Sequence, residues 1–202
     1  EAQQETYLPP MALGEMIGAF ALTEPAAGSD LQALTTRAEL APDGGHYLLN
    51  GSKTWVSNGD RAGLFILFAR TNRGISAFLL ERNTPGLQVG YREKTMGLRG
   101  LACHTLYLDD CRLPAGQLLG QEGQGLAIVK QAAAFDRLSL AAISLGGAER
   151  ALASGIRFSI EHDQFGGPIA RKQAIQNFIA DGATEIEALR HLVTHTAELV
   201  AA

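Results

Sequence analysis

The sequence predicts an α+β protein, an antiparallel β-barrel-like domain followed by two long helices of an incomplete four-helix bundle. Three observations carry this. Between residues 18 and 114, short apolar runs alternate with turn residues at the spacing of an antiparallel β domain, and many short strands so spaced indicate a barrel or sandwich. After Pro114 the apolar residues recur at helical steps over two long stretches. Two helices alone leave an apolar face open, so the bundle is incomplete. The chain divides accordingly into residues 1–17, the end of an N-terminal helical domain, residues 18–115, the β domain, and residues 116–202, the partial bundle.

Expected strands cover residues 18–23, 34–40, 47–53, 55–58, 64–71, 75–80, 87–91 and 105–109. Turn residues separate them: Pro42-Asp43-Gly44-Gly45, Asn50-Gly51, Asn58-Gly59-Asp60, Asn72-Arg73-Gly74 and Thr84-Pro85-Gly86. The loop Gln121-Glu122-Gly123-Gln124-Gly125 opens the first helix, whose stripe is Leu126, Val129, Ala133, Leu138, Ala142 and Leu145. That helix reaches about His162, with Gly146-Gly147 as its expected bend. Phe165-Gly166-Gly167-Pro168 ends it. The second runs from Gln173 with Ile175, Phe178, Ile179, Gly182, Ile186, Leu189, Val193 and Val200 on one stripe; at 1.5 Å per residue it is roughly 45 Å long. A chain that starts at Glu1 and closes in mid-helix pattern reads as a piece of a longer protein.

Composition narrows the function classes. Hydrophobic residues are 46% and charged residues 19%, within the range of a folded globular protein. A formal net charge of -4 offers no field for nucleic acid or an anionic membrane, so an anionic ligand must be held by local donors. No apolar run is long enough to span a bilayer. Cys103 and Cys111 are too few for a disulfide scaffold and fit no metal spacing, so both read as packing residues in a reducing compartment. His191 and His195 share a helix face but lack a third ligand, so no metal site is expected. Gly120, Gly123 and Gly125 lack the strand and βαβ context of a dinucleotide loop.

The first chemically suggestive string is Phe20-Ala21-Leu22-Thr23-Glu24-Pro25-Ala26-Ala27-Gly28-Ser29-Asp30. A strand runs into a turn of small residues, where free N–H groups and a hydroxyl can receive an anion. Composition alone favours a capped turn in which Ser29 and Asp30 bond locally. The order of residues adds more. The string resembles the T-E-P-x-x-G-S-D signature of the acyl-CoA dehydrogenase family. Asn50-Gly51-Ser52-Lys53-Thr54-Trp55-Val56-Ser57-Asn58-Gly59 resembles that family's N-G-x-K-x-W hairpin. Thr84-Pro85-Gly86-Leu87, Met96-Gly97-Leu98-Arg99-Gly100, Leu108-Asp109-Asp110-Cys111-Arg112-Leu113-Pro114, Asp136-Arg137-Leu138 and Gln164-Phe165-Gly166 follow in register.

The resemblance implies FAD-dependent α,β-dehydrogenation of an acyl-CoA thioester, with a carboxylate taking the α-proton and flavin N5 the hydride. It assigns Leu22 and Thr23 to the isoalloxazine, Trp55 and Val56 beside the ring, Ser57 near N5, and Gly28 and Ser29 to the pyrophosphate. Without it, Trp55 reads as a buried core indole. A second subunit is implied to supply Phe165 and Gln173 to the adenosine. The family's arginine before that motif is His162 here, with Arg171 and Lys172 the nearby basic residues. Ser29 and Arg137 are the implied substrate contacts, and Arg99 lies in a loop that can meet cofactor or a salt-bridge partner. The usual glutamate base in an E-G-T motif does not occur; Asp136, one methylene shorter, is the candidate base, or else a solvated helix carboxylate. Implied partners are an electron-transfer flavoprotein and further copies of the chain as a dimer of dimers, in the bacterial cytoplasm or the mitochondrial matrix. Two alternatives compete: a flavin oxidase or monooxygenase of the same fold on a non-CoA substrate, and a non-catalytic interaction module.

Overall fold

The computed structural model describes residues 1–201. It divides into two compact units, with the boundary after Val129. The first begins with helix α1 (Ala2–Ala12), which carries Pro9 and Pro10 near its end. Eight strands follow: β1 (Gly18–Ala21), β2 (Arg37–Leu40), β3 (His46–Ser57), β4 (Leu64–Thr71), β5 (Gly74–Glu81), β6 (Leu87–Arg92), β7 (Cys103–Pro114) and β8 (Leu118–Leu119). Helix α2 (Gly125–Glu161) starts in this unit and continues into the second, where α3 (Gln173–Ala201) follows.

The eight strands form one sheet in the order β6-β7-β3-β2-β4-β5-β8, with β1 added beside β4. The α+β class holds, but the sheet is mixed. Gly18 to Ala21 pair parallel with Leu64 to Leu67, and Arg37 meets Arg70 in parallel. The remaining pairs are antiparallel. Turn spacing cannot reveal the parallel pairs, because they join segments far apart in sequence.

The β4–β5 hairpin is central because its residues are apolar on both faces. Phe65, Leu67, Phe78 and Leu80 join Tyr47, Leu49, Val56 and Leu106 in the main core. The opposite face buries Phe68, Ile75 and Ala77 under Leu34 and Val129. Tyr7 of α1 packs on Leu64 and Leu79. Its hydroxyl donates to Glu81 Oε1 at 2.7 Å and accepts from Gln117 Nε2 at 2.8 Å, which ties α1 to the sheet.

Asn50-Gly51 does not turn the chain. The two segments expected at 47–53 and 55–58 are one strand, β3, with register shifts against β7 between Leu49 and Gly51 and between Lys53 and Val56. Pairing with β7 on both sides overrides the local turn chemistry, and the extra residue of the first shift lies on β7, at Asp109–Asp110 opposite Asn50. Gly51 has φ +145°, and a Cβ there would lie 2.8 Å from the Thr36 Cα. The strand expected at 34–40 begins only at Arg37, because Asp30 caps a 3₁₀ turn at Leu31–Ala33 by accepting from Gln32 N–H at 3.0 Å. The strand expected at 105–109 extends to Cys103–Pro114, and β8 is too short to show a period.

The loop before α2 explains another glycine. Gly123 (φ +86°) has Arg73 O 2.6 Å from its built Cβ position, and its N–H donates to Ser76 Oγ at 2.8 Å. The Gly120–Gly125 segment is thus held against the β4–β5 turn.

In the second unit, α2 is helical without a break through Gly146 and Gly147. The α3 stripe Ile175, Ile179, Ile186, Leu189 and Val193 is half-buried against α2, whereas Phe178 is 74% exposed. Arg190 Nη1 meets Glu149 Oε1 at 2.8 Å across the pair. His191 and His195 are exposed and lie by Glu187 and Glu198, on the polar face. Both cysteines are free and buried.

Candidate functional site

Beyond Ala21 the chain leaves β1 as Leu22 and Thr23 and enters a turn closed by Glu24 N–H to Ala27 O (2.9 Å) and Ala27 N–H to Glu24 O (3.2 Å). Gly28 and Ser29 follow, both exposed. Thr54 N–H donates to Thr23 O at 2.8 Å, which lays the Leu22–Thr23 edge against the β3 bulge. Trp55 occupies that bulge with φ +59°, a left-handed conformation rare for a bulky residue. Its indole is 54% exposed, so it is not the core indole that composition alone allows. On either side of the bulge Lys53 and Val56 point inward and are fully buried. The Val56 side chain belongs to the core, and its carbonyl accepts from Gly59 N–H at 3.3 Å. Ser57 stands opposite Cys103 on β7, its Oγ 3.8 Å from the thiol.

Below this edge lies a feature that the sequence reading did not assign. Lys53 Nζ donates to Glu24 Oε1 at 2.7 Å and to Leu22 O at 3.0 Å. Glu24 also accepts from Thr35 N–H and Thr35 Oγ1 at 2.7 Å each, and from Thr36 N–H at 3.0 Å. Both side chains are essentially out of solvent. Burial pushes the Glu24 carboxyl up, but hydrogen bonds from Lys53, Thr36 and Thr35 more than offset this and hold it at about 2. Burial pulls the Lys53 ammonium below its ordinary value against the raising effect of Glu24. One signal was legible: a lysine at an inward position of an alternating strand needs a buried counter-charge.

The donor set fits a flat aromatic cofactor. A half-exposed indole is held in a strained conformation, the Ser57 hydroxyl has only a distant thiol beside it, and Thr54 Oγ1 is buried with no hydrogen-bond partner.

The remaining candidates lie in the second unit. His162 stacks on Phe158, ring centroids 4.8 Å apart and 15° between planes. Phe165 has φ +56° and is 93% exposed, at the tip of a loop closed by Gln164 N–H to Gly167 O at 2.9 Å. Lys172 Nζ lies 5.3 Å from the Phe165 centroid, and Gln173 is the first residue of α3. These four residues share one loop region. Asp136 and Arg137 are exposed on α2, 26 residues before His162, roughly 39 Å of helix away. Arg99 is exposed in the β6–β7 loop, where its carbonyl accepts from the Arg92 guanidinium.

Residues 19–111 match the family model "Acyl-CoA dehydrogenase, middle domain", and residues 123–202 match "Acyl-CoA dehydrogenase, C-terminal domain". An acyl-CoA dehydrogenase of Bacillus subtilis is 45% identical over 98% of this chain and 53% of its own length. An NADH-dependent acryloyl-CoA reductase of Anaerotignum propionicum is 44% identical over 98% of this chain and 51% of its own. The crystal structure of an acyl-CoA dehydrogenase complexed with FAD from Bacillus anthracis superposes with TM-score 0.92 at 36% identity, covering 96% of this chain and 33% of that one. The chain spans about half the length of the curated relatives it matches. Two adjoining models of one family cover most of the sequence, and the chain belongs to the acyl-CoA dehydrogenase family.

Proposed function

We propose that the full-length protein is an FAD-dependent enzyme that removes hydrogen from the α and β carbons of an acyl-CoA thioester. The observation that carries the reading is the junction of the Leu22–Thr23 edge with the Trp55 bulge through the Thr54–Thr23 hydrogen bond. FAD, when bound, supplies the hydride acceptor. The chain's own residues bind and orient. Leu22 and Thr23 offer backbone and hydroxyl donors toward the side of the ring where charge gathers on reduction. Trp55 forms a flat wall, and the Ser57 hydroxyl stands next to it on β3. Gly28 and Ser29 leave room for a pyrophosphate.

The separation of Asp136 from the His162–Gln173 loop supports a division of labour between copies. That loop then serves the cofactor of a second subunit, through Phe165 and Gln173, with Lys172 as a cation beside His162. A dimer of dimers is the proposed assembly, and an electron-transfer flavoprotein the proposed acceptor. The α-proton goes to a carboxylate, either Asp136 or a residue outside this chain.

The test is purification of the full-length protein. We expect a yellow protein with FAD absorbance that bleaches on addition of an acyl-CoA. Trp55→Ala is expected to weaken FAD binding roughly tenfold or more with little loss of stability, because the indole is largely outside the core. A colourless protein that takes up no FAD would favour the interaction-module alternative. A flavoprotein that reoxidises rapidly in air and ignores acyl-CoAs would instead be an oxidase or monooxygenase.

A further inference from the structure

Strands β1 and β3 are not paired neighbours: β1 lies beside β4, while β3 lies between β2 and β7. The distance between the Thr23 edge and the Trp55 bulge is therefore not set by a sheet ladder. Among the described residues, three hydrogen bonds join segment 22–24 to β3. One is Thr54 N–H to Thr23 O, and the other two come from the Lys53 ammonium, to Leu22 O and Glu24 Oε1. Glu24 is in turn held by Thr35 and Thr36, so Lys53 is anchored to a third segment.

A well-packed apolar side chain commonly serves stability as well as a buried ion pair does. A hydrophobic residue at 53 would nonetheless fix no distance to the Leu22 carbonyl, because apolar contact is non-directional. An ammonium with two short, directed bonds does. Lys53 is also the residue immediately before the bulge, and Val56 is the inward residue after it. Lys53 is registered with Leu106 of β7, so the two bonds from its ammonium tie segment 22–24 to the fixed end of the Trp55 bulge.

We infer that Lys53, locked by Glu24, is the positioning residue of the cofactor cradle, setting the gap between the Leu22–Thr23 edge and the Trp55 indole. This rests on the flavin reading above and adds to it a residue that does not itself touch the cofactor. Thr35 and Thr36 complete the device by keeping the carboxylate from swinging away.

The experiment uses the full-length protein, with FAD as the probe. Lys53→Met and Glu24→Gln are compared with Tyr7→Phe, which removes two part-buried hydrogen bonds, to Glu81 and from Gln117, elsewhere in the same unit. FAD dissociation and the visible circular dichroism of bound flavin are measured for each. We expect Lys53→Met to bind FAD on the order of tenfold more weakly with an altered dichroism band, and Glu24→Gln to shift both in the same direction. Tyr7→Phe is expected to lower the melting temperature and leave both flavin readouts unmoved. If Lys53→Met does not fold, Glu24→Gln decides the matter, since it keeps the shape of the side chain. Wild-type FAD affinity and dichroism in a folded Lys53→Met, or in Glu24→Gln when that is the deciding variant, overturn the positioning role. A parallel loss in Tyr7→Phe also overturns it, because the effect would then follow general stability. A wild-type protein that takes up no FAD sinks the flavin reading itself, a separate outcome.

Discussion

Glu24 makes the first unit acid-sensitive within a defined window. Its folded pKa, about 2, lies below the ordinary carboxyl value of 4.5, so the unfolded state takes up the proton first. The stabilisation is complete above about pH 4.5 and is lost as pH falls toward 2. Its size is on the order of 3 kcal/mol. The depressed value of Lys53 acts in the opposite sense, at a cost that is constant through this acid range, and so leaves the slope to Glu24. Denaturant melts of the wild type between pH 5 and pH 2.5 should show this loss, and Glu24→Gln should flatten it. A second residue-scale prediction concerns Asp136. It is exposed and belongs to none of the ion pairs among the described residues, the setting of a solvated carboxylate. We expect Asp136→Asn to leave flavin bleaching by acyl-CoA unchanged in the full-length protein; a large loss in a folded variant would make it the base. At this scale the sequence displayed Lys53 and Glu24 in plain view, each inside a recognisable string. Their partnership was not legible, because nothing local connects residues 29 positions apart.

Among elements, β3 is the informative one. Its two register shifts lie at Leu49/Gly51 and Lys53/Val56, close to the residues that build the site. The first brings Gly51 against Thr36, the second frees Trp55 to face outward. Gly51→Ala should cost roughly 2–4 kcal/mol, since the added methyl would lie against backbone that cannot yield. Chemical denaturation measures it, and a change below about 0.5 kcal/mol would mean that β3 can shift its register. The sequence marks Asn50-Gly51 as special but not in which way. The same dipeptide closes a hairpin when strands pair on either side of it, and stays inside one strand when a single partner, here β7, runs past and takes the bulge itself.

For the whole molecule, apolar surface is the dominant fact. Phe135, Leu140, Ile143 and Phe158 of α2 and Phe178, Leu192 and Leu199 of α3 are all more than half exposed. A helix pair buries one stripe each and leaves the rest to water, which is costly for side chains of this size. We expect the 202-residue chain, expressed alone, to bind a hydrophobic dye such as ANS and to elute from a sizing column as a spread of aggregates, and the full-length protein to stay dye-silent and elute as one discrete assembly. A dye-silent monomer of this chain would show that its two helices repack to cover themselves. No described helix is long and apolar enough to cross a membrane.

By itself the sequence determined the α+β class, the order of strands followed by helices, the inner stripe of α3 and the family. All of these are written in local period and in the order of short motifs. Only the tertiary structure decided that β1 runs parallel to β4, that Asn50-Gly51 continues β3 opposite a bulge in β7, and that Lys53 reaches Leu22 and Glu24. The physical reason is range. Period and turn chemistry act over a few residues, whereas a parallel crossover, a bulge and a buried ion pair are each selected by a partner far along the chain.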